Sequence, residues 1–133
     1  MTSIAQTAGA WAPRVLSILR IAAGLLLLQH GMTKYLNIPP SEMYGISPTS
    51  MPGMAGILEL VGGALIVIGL FTRPAAFILS GMTAVAYWYA HAPQGFYPLL
   101  NGGELAVLYC FVFLYLACAG GGVWSVDAKR GNA

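Results

Sequence analysis

Charge is what this sequence has least of. Lysine, arginine, aspartate and glutamate make up 8% of its 133 residues, against about a quarter in soluble proteins. So few charges cannot clothe a soluble surface, which excludes an ordinary soluble domain. The formal net charge of +2 is small and its basic residues are scattered, which excludes a nucleic-acid footprint. Cysteine is almost as scarce, with only Cys110 and Cys118 in one apolar run. On a helix they stand about 12 Å apart along the axis, too far to bond to each other. A disulfide framework is therefore excluded, and both read as small packing residues. What the sequence does have is apolar side chains, 58% of the total, gathered into runs.

Four such runs read as membrane-spanning helices, at about 14–34, 54–71, 75–91 and 103–119. The expected fold is all-α, an integral membrane four-helix bundle forming one domain over residues 1–133. Residues 1–13 read as a mobile or interfacial tail, with Trp11 beside Arg14 as a headgroup anchor. Residues 35–52 carry Pro39, Pro40, Pro48 and Pro52 and read as a long loop of the kind that covers a site. Met43, Met51 and Met54 in and after it are unevenly spaced, which suits packing at a membrane surface better than soft-metal binding. Thr72-Arg73-Pro74 reads as a tight turn, and Gly120-Gly121-Gly122 as a stop. Arg14, Arg73, Lys129 and Arg130 fall on one side of this arrangement and Lys34 on the other. The positive-inside rule then places both termini in the cytoplasm.

The second run carries one carboxylate, Glu59, among apolar residues. Gly56, Glu59, Gly62 and Gly63 recur at steps of three and four, so Glu59 is expected to face other helices across a small-residue surface. Threading the spans brings His30, Lys34, Glu59, His91, Asn101 and Glu104 to one depth near the outer surface, although they come from every span. On the third span Ser80, Ala84, Tyr87 and His91 mark the expected inward face. On the fourth, Glu104, Leu108, Phe111, Tyr115 and Cys118 do the same. Arg20 lies near the cytoplasmic end of the first span with no acidic residue expected at its level in the membrane. A backbone carbonyl or lipid phosphate is its expected partner.

Two readings of the polar group compete. It is either a pocket open to the outer leaflet, or a network of ion pairs and hydrogen bonds that pins the helices together. Metal binding is a weaker alternative. Glu59 and Glu104 are followed three residues on by Gly62 and Val107, not by the histidine of a helical di-metal site. Haem held between His30 and His91 is conceivable in geometry but has no supporting motif. No metal or haem is assigned.

The blocks LRIAAGLLLLQHGMTKY, GILELVGGALIVIGLFTRPAA and AHAPQGFYPLLNGGELAVLY, in that order, resemble the DoxX family of small four-helix bacterial membrane proteins. The likeness runs from about Leu19 to Asp127. It carries over His30, Gly31, Lys34, Glu59, Gly62, Gly63, Arg73, His91, Asn101 and Glu104. The family is named for its likeness to a subunit of a thiosulfate:quinone oxidoreductase, which implies electron transfer to a membrane quinone in the bacterial inner membrane. No thiosulfate-handling motif is present.

On that implication His30, His91, Glu59 and Glu104 are the candidate catalytic residues. Lys34, Asn101, Tyr87, Phe111 and Tyr115 are the candidates for holding the quinone ring, whose two carbonyls need donors. The chain carries no flavin, haem or iron–sulfur motif, so a quinone-linked oxidoreductase built on it needs a partner subunit, or a substrate that reacts with quinone directly. Homo-oligomerisation, an assembly or anchoring role for a partner enzyme, and transport are the other classes left open.

Overall fold

The computed structural model describes residues 1–132, and every regular element in them is helical. The first helix, α1, is Ile4–Leu36, 33 residues long. It therefore takes in most of the segment expected to be a mobile tail. The cause is a capping box. The Ser3 hydroxyl accepts from the Gln6 amide at 3.2 Å and the Gln6 side chain accepts from the Ser3 amide at 2.8 Å, which satisfies two otherwise orphaned donors. Pro13 is held inside the helix, and the Arg14 guanidinium lies 5.3 Å from the Trp11 ring centre.

The second helix, α2, is Met51–Ile68, capped by Ser50 and ended by Gly69 at φ 72°, a left-handed turn open to glycine. Both α1 and α2 are long and apolar enough to cross a membrane. The third, α3, is Thr72–Ala86, and it runs directly into a π-helical turn, Tyr87–His91. Together they extend roughly 30 Å. A short 3-10 turn, Ala92–Gln94, and a single helical turn α4, Pro98–Asn101, lead into α5, Glu104–Ala119. A last single turn, α6, is Val126–Lys129.

The closest packing is antiparallel, between α1 and α2. A β-carbon on Gly31 would stand 2.7 Å from the Gly56 carbonyl oxygen, and one on Gly63 would stand 3.1 Å from the Leu28 α-carbon. Only glycine allows backbones so near, the small-residue surface that membrane helices use to associate. Gly62 faces elsewhere, towards the Leu79 side chain on α3. In turn α3 lies along α5, where Ala76, Leu79, Phe113 and Leu116 form a buried core and the Ser80 hydroxyl donates to the Cys110 carbonyl at 2.7 Å. Contact between α1 and α5 is slight. The chain is thus two tight antiparallel pairs, α1/α2 and α3/α5, leaned together.

The face expected to point inward on α5 points outward. Glu104, Leu108, Phe111, Tyr115 and Cys118 are all exposed, while Tyr109, Phe113 and Leu116 are buried. Both stripes have the same i, i+4, i+7 spacing, so periodicity could not choose between them. In a helix apolar on every side, a polar or aromatic residue is no guide to the interior.

The end of the molecule holding the Gly69–Phe71 turn is closed by the chain after α5. Arg20, only 1% exposed, donates to the carbonyls of Gly121, of Trp124 at 2.9 Å and of Val67 at 3.3 Å. Backbone carbonyls are thus its partners, as its isolation in the sequence implied. Asp127, just beyond, accepts from the amides of Phe71 and Thr72, both at 2.9 Å. Burial pushes the Asp127 carboxyl up, but these amide hydrogen bonds and the nearby Arg130 outweigh burial and hold it below the usual carboxylate value.

Candidate functional site

At the opposite end, the close approach of α1 and α2 forces two charged side chains together. Lys34 Nζ lies 3.0 and 3.1 Å from the two carboxylate oxygens of Glu59, and both residues are buried. A β-carbon on Gly56 would strike the Lys34 chain at 2.9 Å, so the missing side chain at Gly56 is the channel along which Lys34 reaches its partner. No other ion pair occurs among the described residues. Buried charges are tolerated when they are paired or hydrogen-bonded.

Beside the pair is a cavity of about 600 Å³, within the range of small-molecule sites. Its polar lining comes from four helices and the π turn: His30, Thr33 and Lys34 from α1, Glu59 from α2, Thr83 from α3, Tyr89 and His91 from the π turn, and Tyr109 from α5. Met43 of the loop before α2 also reaches it, so that loop borders the site. The rest of the wall is mostly apolar, with leucine, methionine and alanine side chains predominating.

Tyr109 was not anticipated from sequence. It is 6% exposed, stacks on Phe113 at 5.7 Å between ring centres, and meets His30 edge-on at 6.3 Å. Its hydroxyl is buried and has no hydrogen-bond partner among the described residues. A tyrosine hydroxyl in an apolar interior normally finds one. Tyr109 is thus a cavity-lining residue whose buried hydroxyl is left without its hydrogen bond.

His91 is set by the π turn. Its Nδ1 is 3.1 Å from the Asn101 carbonyl oxygen. A carbonyl only accepts, so Nδ1 carries the hydrogen, and in the neutral ring Nε2 is left as an acceptor. Asn101 itself organises this end and does not line the cavity. Its amide nitrogen donates to the Tyr87 hydroxyl at 3.2 Å and to the Gly95 carbonyl at 2.9 Å, and its side-chain oxygen accepts from the Gly103 amide at 2.8 Å. Both amide hydrogens are used, so Asn101 has no donor left for a ligand. Tyr87 belongs to the same clasp and is not among the cavity-lining residues.

The remaining expected site residues lie elsewhere. Glu104 is exposed and lines a shallow dent beside Leu105 and Leu108 instead of the cavity. Phe111 and Tyr115, 62% and 57% exposed, continue that outward face. The structure thus gathers His30, Lys34, Glu59 and His91 around one cavity, places Tyr109 there instead of Tyr87, Phe111 and Tyr115, and leaves Asn101 and Glu104 out of its lining. Among the described residues no three His, Cys, Asp or Glu side chains converge, so the metal alternative has no ready donor set.

Comparison with known proteins follows the same outline. The DoxX family model matches residues 15–92, from within α1 to just past the π turn. An uncharacterized protein of Haemophilus influenzae is 43% identical over 88% of this chain and 91% of its own length. An uncharacterized membrane protein of Mycobacterium tuberculosis is 27% identical over 91% of this chain and 85% of its own. No solved structure matches the chain.

Proposed function

The chain belongs to the DoxX family of membrane proteins, and from that premise we propose that its cavity receives the ring of a membrane quinone. In this reading it is a multi-pass protein of the bacterial inner membrane, a four-helix bundle with both termini in the cytoplasm. It serves as a subunit or small enzyme of quinone-linked redox chemistry. The observation that carries the reading is a largely apolar cavity lined by Tyr109, whose buried hydroxyl has no partner among the described residues.

The residues fit a flat, amphipathic ring with carbonyl acceptors. The Tyr109 hydroxyl donates to one carbonyl, and the His30 ring, already edge-on to Tyr109, sits beside it. His91, its Nδ1 held by the Asn101 carbonyl, presents Nε2 to accept or return a proton. Glu59 does not move protons here, because Lys34 lies within hydrogen-bond distance of both its oxygens. The pair holds α1 to α2 and keeps a dipole beside the ring. A bound quinone supplies a two-electron, two-proton acceptor, and the electrons reach it from a partner subunit.

The test is thermal unfolding of the purified protein in mild detergent with a benzoquinone added. The melting temperature should rise with quinone concentration. Tyr109→Phe, which removes one oxygen from a site with no internal partner, should keep the fold and lose most of that rise. No rise with any quinone would move the reading to an assembly or anchoring role, in which the Lys34–Glu59 pair serves only to join helices.

A further inference from the structure

Gly81 stands in the middle of α3, exposed and on the cavity wall, and a β-carbon there would meet no atom within 4 Å. No turn, positive φ or close neighbour requires a glycine at this point. In a helix interior glycine costs about 1 kcal/mol relative to alanine, so a packing role does not explain it. Its surroundings do. Gly62 and Leu79 bring α2 and α3 into contact, since a β-carbon on Gly62 would lie 2.9 Å from Leu79. Further towards the His91 end, the lining residues Met54 and Leu58 of α2 and Val85 of α3 are 45%, 39% and 50% exposed. These side chains touch the cavity and the outside at once, and all are apolar. An exposed, apolar cleft between α2 and α3 thus borders the cavity, at a level where α2 runs through its apolar membrane-spanning length.

We propose that this cleft is a lateral portal to the bilayer. The ligand is a lipid: its polar ring lies against Tyr109, and its long apolar tail leaves between α2 and α3 across Gly81. The proposal builds on the quinone reading but concerns the tail, and it holds for any lipid whose head offers an acceptor to Tyr109. A soluble ligand would need no apolar slot and no gap at Gly81. A tail does, because burying it against protein while its far end stays in lipid exposes no hydrocarbon to water.

The test is native mass spectrometry of the protein purified with its co-extracted membrane lipids, for the wild type, Gly81→Ala, Gly81→Leu and Tyr109→Phe. Leucine at 81 meets no protein atom at its β-carbon and favours the helix, so the fold should be kept; an unchanged melting temperature checks this. The wild type should retain a long-tailed lipid. Gly81→Ala should retain most of it, and Gly81→Leu should weaken it by about tenfold or more. A tailless benzoquinone should bind wild type and Gly81→Leu alike, while a long-tailed benzoquinone should compete with the retained lipid in the wild type and Gly81→Ala but find little to displace in Gly81→Leu. Equal lipid retention by wild type and Gly81→Leu would overturn the portal, as would a wild type that retains none. Loss of lipid in Gly81→Leu, with no quinone competing in the wild type, would uphold the portal and sink the quinone.

Discussion

Lys34 and Glu59, one on each of two antiparallel helices, form a buried two-pronged ion pair at 3.0 and 3.1 Å. Removing one partner strands the other charge in an apolar interior, at a cost of about 3–5 kcal/mol. Glu59→Leu or Lys34→Met alone should therefore lower the yield of folded protein sharply. The double variant, which leaves no charge behind, should recover most of it. Urea or thermal unfolding in detergent measures both. A double variant as unstable as the singles would show that the pair does more than cancel charge.

Glu104 shares a sequence neighbourhood with the site but is exposed and does not line the cavity. Glu104→Gln should change quinone affinity and stability by no more than about 0.5 kcal/mol, whereas His91→Ala should abolish the ligand-induced thermal shift. A loss in Glu104→Gln as large as in His91→Ala would place that carboxylate in the binding machinery after all.

Asp127 gives the molecule a pH dependence of known sign. Its folded-state value lies below the ordinary carboxylate value of about 3.9, because the amide hydrogen bonds and Arg130 outweigh burial. The stabilisation is complete above that value and is lost as pH falls through the lower, folded one. Asp127→Asn should thus melt below wild type at pH 7, by about 1.5–3 kcal/mol for hydrogen bonds to a charged group. The gap should close as the solution is taken below about pH 4. A gap that persists unchanged into strong acid would mean that the shape of the residue matters and its charge does not.

Membrane orientation has a direct check. With Cys110 and Cys118 replaced by alanine, a cysteine introduced at Ser41 should react with an impermeant thiol reagent added outside intact cells. One at Ala128 should react only after lysis. The reverse pattern would turn the cavity towards the cytoplasm.

Much of this was written in side-chain spacing. Gly56 and Gly63 around Glu59 marked the face that meets another helix, and they meet α1. The shared level of His30, Lys34, Glu59 and His91 followed from alternating the direction of the runs. What failed had physical causes. On α5 two stripes share one spacing, and the sequence offered Glu104 as the more polar of the two. Yet the stripe of Tyr109 is the one that α3 covers. The start of α1 was legible in Ser3 and Gln6, a capping box at the right separation, but the small, mostly polar composition of residues 1–13 read as a tail. The part played by Asn101 depends on the loop closing upon itself, which no local pattern encodes.

Arg20 ties the beginning of the chain to its end. A single guanidinium holds carbonyls at Val67, Gly121 and Trp124, so three segments made at very different times in synthesis meet at one side chain. A ribosome delivering this protein releases α1 and α2 long before Gly121 exists. Until that stretch arrives, the cation has only lipid phosphate, water or the Val67 carbonyl to serve it. Insertion of the helices and completion of the fold are therefore separate events. The second waits on the stretch from Gly121 to Trp124, which makes that segment the latch of the assembly and a poor place for a bulky insertion.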